Sequence, residues 1–222
     1  MGTLYLVRHG QASLGAADYD QLSEMGQRQS RRLGDYFAER GMRFDAVITG
    51  TLKRHRQTLA GIAAGLPGLP ESVALPGLNE YDSVAVLRAV YPGQLERPTT
   101  PEAIREHFRL LRGGLLAWME GRVAPEGMPT FKEFQAGIEA ALQQALAYHE
   151  GKVLLVSSGG PISTAAGLLL NLQPMAIIEL NLRLRNSAVS EFTALPSRHV
   201  LLSWNSLAHL DHADYAGWVT HA

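Results

Sequence analysis

The sequence predicts a three-layer α/β/α sandwich with a mostly parallel central sheet and a helical cap insertion. Three observations carry that expectation. Short apolar, β-branched runs alternate with longer segments of helical period. Three of those runs end in glycine-bearing polar turns that lead toward a helix, at Arg8-His9-Gly10, Gly50-Thr51 and Ser157-Ser158-Gly159-Gly160. The stretch from Tyr81 to Glu150 instead holds several helical segments and no strand, which places an insertion at about 81–150 within a single domain of 1–222.

The elements follow in order. Leu4 to Val7 reads as a buried strand. Ser23 is a suitable N-cap for a helix that carries Met25, Leu33, Tyr36 and Phe37 on one face and stops at Gly41. Phe44 to Ile48 is a second strand, and Thr51 is expected to cap a helix from Leu52. Pro67, Gly68, Pro70, Pro76 and Gly77 mark turns. Pro and Gly clusters at Tyr91-Pro-Gly and Ala124-Pro-Glu-Gly-Met-Pro separate the helices of the insertion. Val153 to Val156 is a strongly apolar strand, followed by a helix from Pro161, a residue suited to a first turn. Ser187 to Phe192 and His199 to Trp204 close the chain as strands.

Composition narrows the function. The 222 residues are 46% hydrophobic, enough for a sizeable core. Twenty Lys and Arg stand against twenty-one Asp and Glu, a net charge of −1 that argues against a nucleic-acid clamp or a polybasic membrane binder. There is no Cys, so disulfides, thiolate metal sites and cysteine nucleophiles are excluded. The apolar stretch from Ile162 to Leu180 is interrupted by Ser163, Asn171, Gln173, Pro174 and Glu179 and is not expected to span a membrane. A cytoplasmic location is expected. Exposed strand edges suit a homodimer.

Ligand sites of open α/β sheets lie beyond the carboxyl ends of the strands, so the three polar turns are expected to converge on one pocket. Gly159 and Gly160 open a helix whose N–H groups and dipole favour an anion. Arg8 and Arg54 supply guanidiniums that fork onto phosphate oxygens. Glycine at 10 and 159 is expected to permit close approach of the backbone to a ligand. His9, between the arginines, is a candidate nucleophile whose pKa the neighbouring like charge lowers. Its attack on phosphorus gives a phosphohistidine that water hydrolyses. Glu80 is the candidate proton donor to the leaving alkoxide, with Glu71 and Asp82 as neighbouring alternatives.

Several of these motifs together resemble the histidine phosphatase superfamily, in its phosphoglycerate-mutase-like branch. Leu6-Val-Arg-His-Gly-Gln resembles its signature, Leu22-Ser-Glu-Met-Gly-Gln-Arg-Gln a helix opening, and Thr49-Gly-Thr-Leu-Lys-Arg-His-Arg-Gln-Thr its second arginine motif. Leu78-Asn-Glu is similar to the segment holding the acid, and Trp204-Asn-Ser-Leu-Ala-His-Leu to the closing strand. The resemblance implies His9 as nucleophile, Arg8 and Arg54 as phosphate ligands, Glu80 as acid and Gln11 near the pocket. It further implies a phosphorylated substrate or phosphate ion as partner, and neither metal nor cofactor.

One position departs from that pattern. Where the family carries a second histidine, before Gly-Gly, this chain has Ser158. Loss of a charged donor costs about 1.5–3 kcal/mol, roughly ten- to 150-fold in rate. A gain of one to two orders of magnitude in Ser158→His would mean an intact but attenuated site, and no change would mean that Ser158 is already compensated or that the pocket is dead for another reason. The implied function is a phosphoric monoester hydrolase acting on a small molecule or phosphoprotein with reduced activity. The alternatives are a pseudophosphatase that binds phospho-ligands and a phosphoglycerate-type mutase. His55 could approach the pocket, but the bland readings place it on the surface, with Ser157 and Ser158 as helix caps. They leave His209, Asp211 and His212 exposed rather than metal-bound, and Tyr81, Trp118, Phe131 and Phe134 in the core.

Overall fold

The computed structural model describes residues 2–13, 20–91, 93, 99–148, 150–195 and 199–221; Pro92, in one of the expected turn clusters, lies outside them. Six strands form one sheet: β1 (Gly2–Arg8), β2 (Ala46–Thr49), β3 (Ser72–Ala74), β4 (Lys152–Ser157), β5 (Val189–Ala194) and β6 (His199–Ser206). Their order is β3-β2-β4-β1-β5-β6. β3, β2, β4 and β1 are parallel neighbours, while β5 and β6 add an antiparallel edge. β1, β4 and β2, whose ends carry the three polar turns, are thus consecutive in space.

Side chains alternate across the sheet as the two-residue period of a strand demands. Leu4, Leu6, Ile48, Val153 and Leu155 point to one face. Tyr5, Val7, Val47, Leu154 and Val156 point to the other. The second face is covered by α1 (Glu24–Glu39) and α2 (Lys53–Gly65) through Leu33, Phe37 and Ile62. The first is covered by α5 (Phe131–Leu146), α6 (Gly159–Leu170) and their neighbours α4 (Pro101–Met119) and α7 (Pro174–Arg183). α3 (Ser83–Val90) joins that layer through Val86 and Leu87. Three layers result. Of the helices between β3 and β4, α5 lies against the sheet through Ile138, Ala141 and Leu142. No described helix is long and apolar enough to cross a membrane.

Local chemistry explains most boundaries. Ser23 accepts from the Gly26 N–H and caps α1. Thr130 and Glu133 form a reciprocal capping box at α5. Three expectations need correction. The cap of α2 is not Thr51: Leu52 occupies that position, and the Lys53 N–H donates instead to the Asp20 carboxylate at 2.8 Å. α6 begins at Gly159 rather than Pro161. Neither serine before it caps by its side chain; Ser158 sits at the cap position without such a bond, and the Ser157 hydroxyl donates to the Leu78 carbonyl at 2.6 Å.

The end of the chain latches onto the start. Gln29 on α1 donates to the Trp218 carbonyl at 2.6 Å and to the Thr220 hydroxyl at 2.9 Å. Thr220 in turn donates to the Asn186 side chain at 3.0 Å. His209 is also part of this region and, contrary to its expected exposure, is buried, with Nε2 2.9 Å from the Ser187 hydroxyl. Burial, with Arg32 adding to it, pushes its pKa down to about 3.

Candidate functional site

The backbone of His9 bridges three segments just past β1. Its N–H donates to the Ser157 carbonyl at 2.9 Å, and its carbonyl accepts from the Ser187 N–H at 3.1 Å and Asn186 Nδ2 at 3.5 Å. The ring is buried, with Nδ1 2.7 Å from the Gly10 carbonyl oxygen. A carbonyl only accepts, so Nδ1 carries the proton and the lone pair is on Nε2. Burial first, then Arg8, Arg54 and His55, hold the His9 pKa well below its ordinary value. An uncharged imidazole between two guanidiniums is able to attack an electron-poor phosphorus that those cations bind.

Both arginines are buried, and the charge of each acts on His9. Arg8 Nη1 donates to the Leu184 carbonyl. Arg54, in the first turn of α2, pairs through Nη1 with Asp20 at 2.8 Å and reaches Ser158 Oγ through Nη2 at 3.5 Å. Glu80 stands across from them. Both of its carboxylate oxygens accept from the Gly160 N–H, at 3.1 and 3.2 Å. The anion-binding helix start read from Gly159 and Gly160 therefore holds a carboxylate of this chain. Enclosure of the carboxyl raises its pKa, opposed by the Gly160 N–H, Arg8, Arg54 and the Tyr81 N–H. Of the other two candidate acids, Glu71 is exposed, and Asp82 caps α3 by accepting from Val84 and Ala85.

Other predicted residues have different surroundings from those expected. Gly10 is needed for close approach, but to α1 rather than to a ligand: a Cβ there would lie 2.4 Å from the Gly26 carbonyl oxygen. Gln11 follows the pocket, with its amide oxygen accepting from Ser23 Oγ at 2.9 Å. Gly159 meets the Asn181 side chain, which would lie 2.5 Å from a Cβ at that position. His55 is the largest correction. It is completely buried, not on the surface, with its ring centroid 5.8 Å from that of His9 and Nε2 2.7 Å from Ser158 Oγ. Next to Glu80 and Gly160, Tyr81, Trp118, Phe131 and Phe134 line an apolar pocket, edged by Asn181, whose side chain donates to the Tyr81 hydroxyl at 2.9 Å.

A family model described as "Histidine phosphatase superfamily (branch 1)" matches residues 4–207, nearly the whole chain. The chain belongs to the histidine phosphatase superfamily. Its fold is that of other members and of phosphoglycerate-mutase-like proteins. A phosphoserine phosphatase from Entamoeba histolytica, solved with 3-phosphoglyceric acid, superposes with a TM-score of 0.66 at 22% identity, covering 95% of this chain and 100% of that one. A phosphoglycerate mutase from Bacillus anthracis gives 0.64 at 19% identity over 93% and 94%. In sequence, a broad-specificity phosphatase of Saccharomyces cerevisiae is 36% identical over 63 residues, which span 26% of this chain and 27% of that protein's length.

Within this superfamily member, sequence reasoning missed the residues that arrange the site. Asp20 both starts α2 and holds Arg54. Asn79 accepts from the Thr51 N–H and donates to its hydroxyl, tying the turn after β2 to the segment that carries Glu80. Asn79 was visible only as the neighbour of Glu80, and an Asn among turn residues ordinarily bonds locally. Asn186 and Ser187, the latter at φ 57°, clamp the His9 carbonyl from a stretch with no motif.

Proposed function

We propose that this superfamily member hydrolyses phosphomonoesters through a phosphohistidine on His9. The observation that carries the reading is the His9 ring, fixed by Gly10 with its lone pair on Nε2 and kept uncharged beside Arg8 and Arg54. Nε2 attacks phosphorus as the bond to the ester oxygen breaks. The guanidiniums neutralise the phosphoryl oxygens, and protonated Glu80 gives its proton to the leaving alkoxide. Water then attacks the N–P bond, with the Glu80 carboxylate taking its proton, and inorganic phosphate leaves. The aromatic wall beside Glu80 would receive the alcohol portion of a small phosphorylated molecule or a phosphoprotein side chain. The relatives described as phosphatases agree with this class of reaction.

Phosphate release from an aryl phosphate tests it: His9→Ala should lose at least about a thousandfold in kcat, the scale on which loss of a nucleophile is felt. Release that is unchanged in that variant ends the proposal. Glu80→Gln should lower kcat about a hundredfold and flatten the alkaline limb of the profile. The sign follows from the raised pKa of the acid: the wild type loses its proton donor as pH rises through the Glu80 value, and glutamine has none to lose.

A second reading, binding without turnover, is favoured by one observation. Arg54 and the Gly160 N–H hold carboxylates of this chain. Phosphate binding that is lost in Arg8→Ala, with no phosphate release from any ester, would select it.

A further inference from the structure

His55 is buried in the first turn of α2, beside His9 and against Ser158, and the proposed reaction assigns it no task. Its environment is specific. Nε2 is 2.7 Å from Ser158 Oγ, while Nδ1 has no hydrogen-bond partner among the described residues. Gly50, at the end of β2, gives the ring its place: a Cβ there would lie 2.2 Å from His55 Nδ1. An imidazole seated this closely, with one nitrogen on a hydroxyl of the site, has a fixed direction.

The proton between the two can be assigned. If Ser158 donated to Nε2, the ring proton would sit on Nδ1, a buried N–H with no acceptor. An orphaned buried donor is rarer and costlier than an orphaned lone pair. Nε2–H therefore donates to Ser158 Oγ. Arg54 Nη2, 3.5 Å away, approaches the same oxygen and can only donate. With donors on its oxygen, the Ser158 hydroxyl has its own hydrogen to give, and no acceptor for it lies among the described residues. Burial and the adjacent Arg54 guanidinium push the His55 pKa down to about 3, so one ring proton is present, as this assignment requires.

We infer that His55 is a positioning residue that turns the Ser158 hydroxyl into a hydrogen-bond donor to the phosphoryl group undergoing transfer. The two side chains, one from α2 and one at the start of α6, work as a unit. Donors onto Oγ also polarise its O–H, strengthening the bond it gives. The inference rests on the phosphoryl-transfer reading above. It also bears on Ser158→His: an imidazole already stands 2.7 Å from Oγ.

A mutant cycle on aryl phosphate hydrolysis tests the pairing. Ser158→Ala and His55→Leu should each lower kcat about a hundredfold, the usual scale for loss of one donor to a developing oxyanion, with little change in KM. The double variant should lose no more than the worse single variant, because both remove the same bond. His55→Gln, whose amide N–H can replace Nε2–H, should restore most of the rate lost in His55→Leu. Ser158→His should slow the wild type yet accelerate a His55→Ala background, where the space is open. Additive losses in the cycle, or an equal gain from Ser158→His in both backgrounds, overturn the inference.

Should His55→Leu fail to fold, as judged by thermal melting, the two Ser158→His backgrounds decide alone. If the wild type gives no release that depends on His9, the phosphatase reading has failed, and the same cycle is measured on inorganic phosphate affinity. Non-additive weakening of about tenfold in Kd then still supports the pairing, and additive weakening rejects it.

Discussion

The two faces of the sheet meet the site in different ways. On the side of α1 and α2, backbone and short polar groups make the contacts. The first turn of α1 lies so near the loop after β1 that a Cβ on Gly26 would stand 2.1 Å from the Gln11 carbonyl oxygen. Thr58 on α2 accepts from the Gly10 N–H at 3.1 Å, and Arg54 and His55 enter from the same helix. On the side of α4 to α7, Tyr81, Trp118, Phe131 and Phe134 pack ring against ring beside Glu80. The first face sets backbone against backbone around the loop that carries His9. The second is built of side chains whose shapes can change without moving the backbone that carries His9. In the proposed reaction, the seat of the nucleophile belongs to one face, and the choice of leaving group to the other, where Glu80 and the start of α6 also contribute to the rate.

Trp118→Ala applies the largest force to that division. Trp118 is almost wholly buried and donates to the Pro129 carbonyl at 3.1 Å, so truncation should cost about 3–5 kcal/mol of stability. In the molecules that stay folded, KM for bulky esters should change while kcat for a compact one stays near wild type. A collapse of kcat for both esters in folded protein would erase the distinction.

Gly26→Ala should cost less stability, about 1–3 kcal/mol from overpacking, but should damage turnover more. The methyl group would push α1 from the loop that carries His9. Denaturation midpoints and kcat measured on one preparation compare the two variants directly. The division fails if Gly26→Ala costs stability alone.

The smallest effect is a slope. His209 lies on the α1 side, in edge contact with Tyr36. Its folded pKa of about 3 is depressed from 6.5. The unfolded chain therefore takes up a proton below about pH 6.5 that the folded chain refuses, and stability declines as pH falls. At pH 5 the contribution is about 2 kcal/mol. His209→Asn should reduce the slope of stability against pH by about one proton in that range. The activity profile, which the proposed reaction ties to His9 and Glu80, should keep its shape.

The layers were legible in sequence wherever one period dominated. Leu4 to Val7 and Val153 to Val156 are apolar on both sides, as buried parallel strands must be, and Ser23 marked α1 by its own chemistry. β3 passed unseen because Ser72-Val73-Ala74 is three residues long and carries no apolar run. α7 was passed over, although Asn171, Gln173 and Pro174 interrupt the apolar stretch just where it begins. In the site, His9, Arg8 and Arg54 were legible because they stand at strand or helix ends in recognisable order. His55 was not. Among Lys53, Arg54 and Arg56 it looked like part of a wet helical face, and its partner Ser158 is 103 residues away. Asp20 failed for the same reason, since its partners lie 33 and 34 residues along the chain. Chemistry written in one short segment can be read there; chemistry shared between two segments needs their geometry.

The clamp on His9 also has a consequence for biosynthesis. The carbonyl of that residue is held by Asn186 and Ser187, and Asn186 is held by Thr220. A ribosome makes His9 long before Thr220. While the residues between them are being made the imidazole is present without its seat, so a nascent chain should order that ring only once the segment carrying Asn186 and Thr220 has emerged from the exit tunnel.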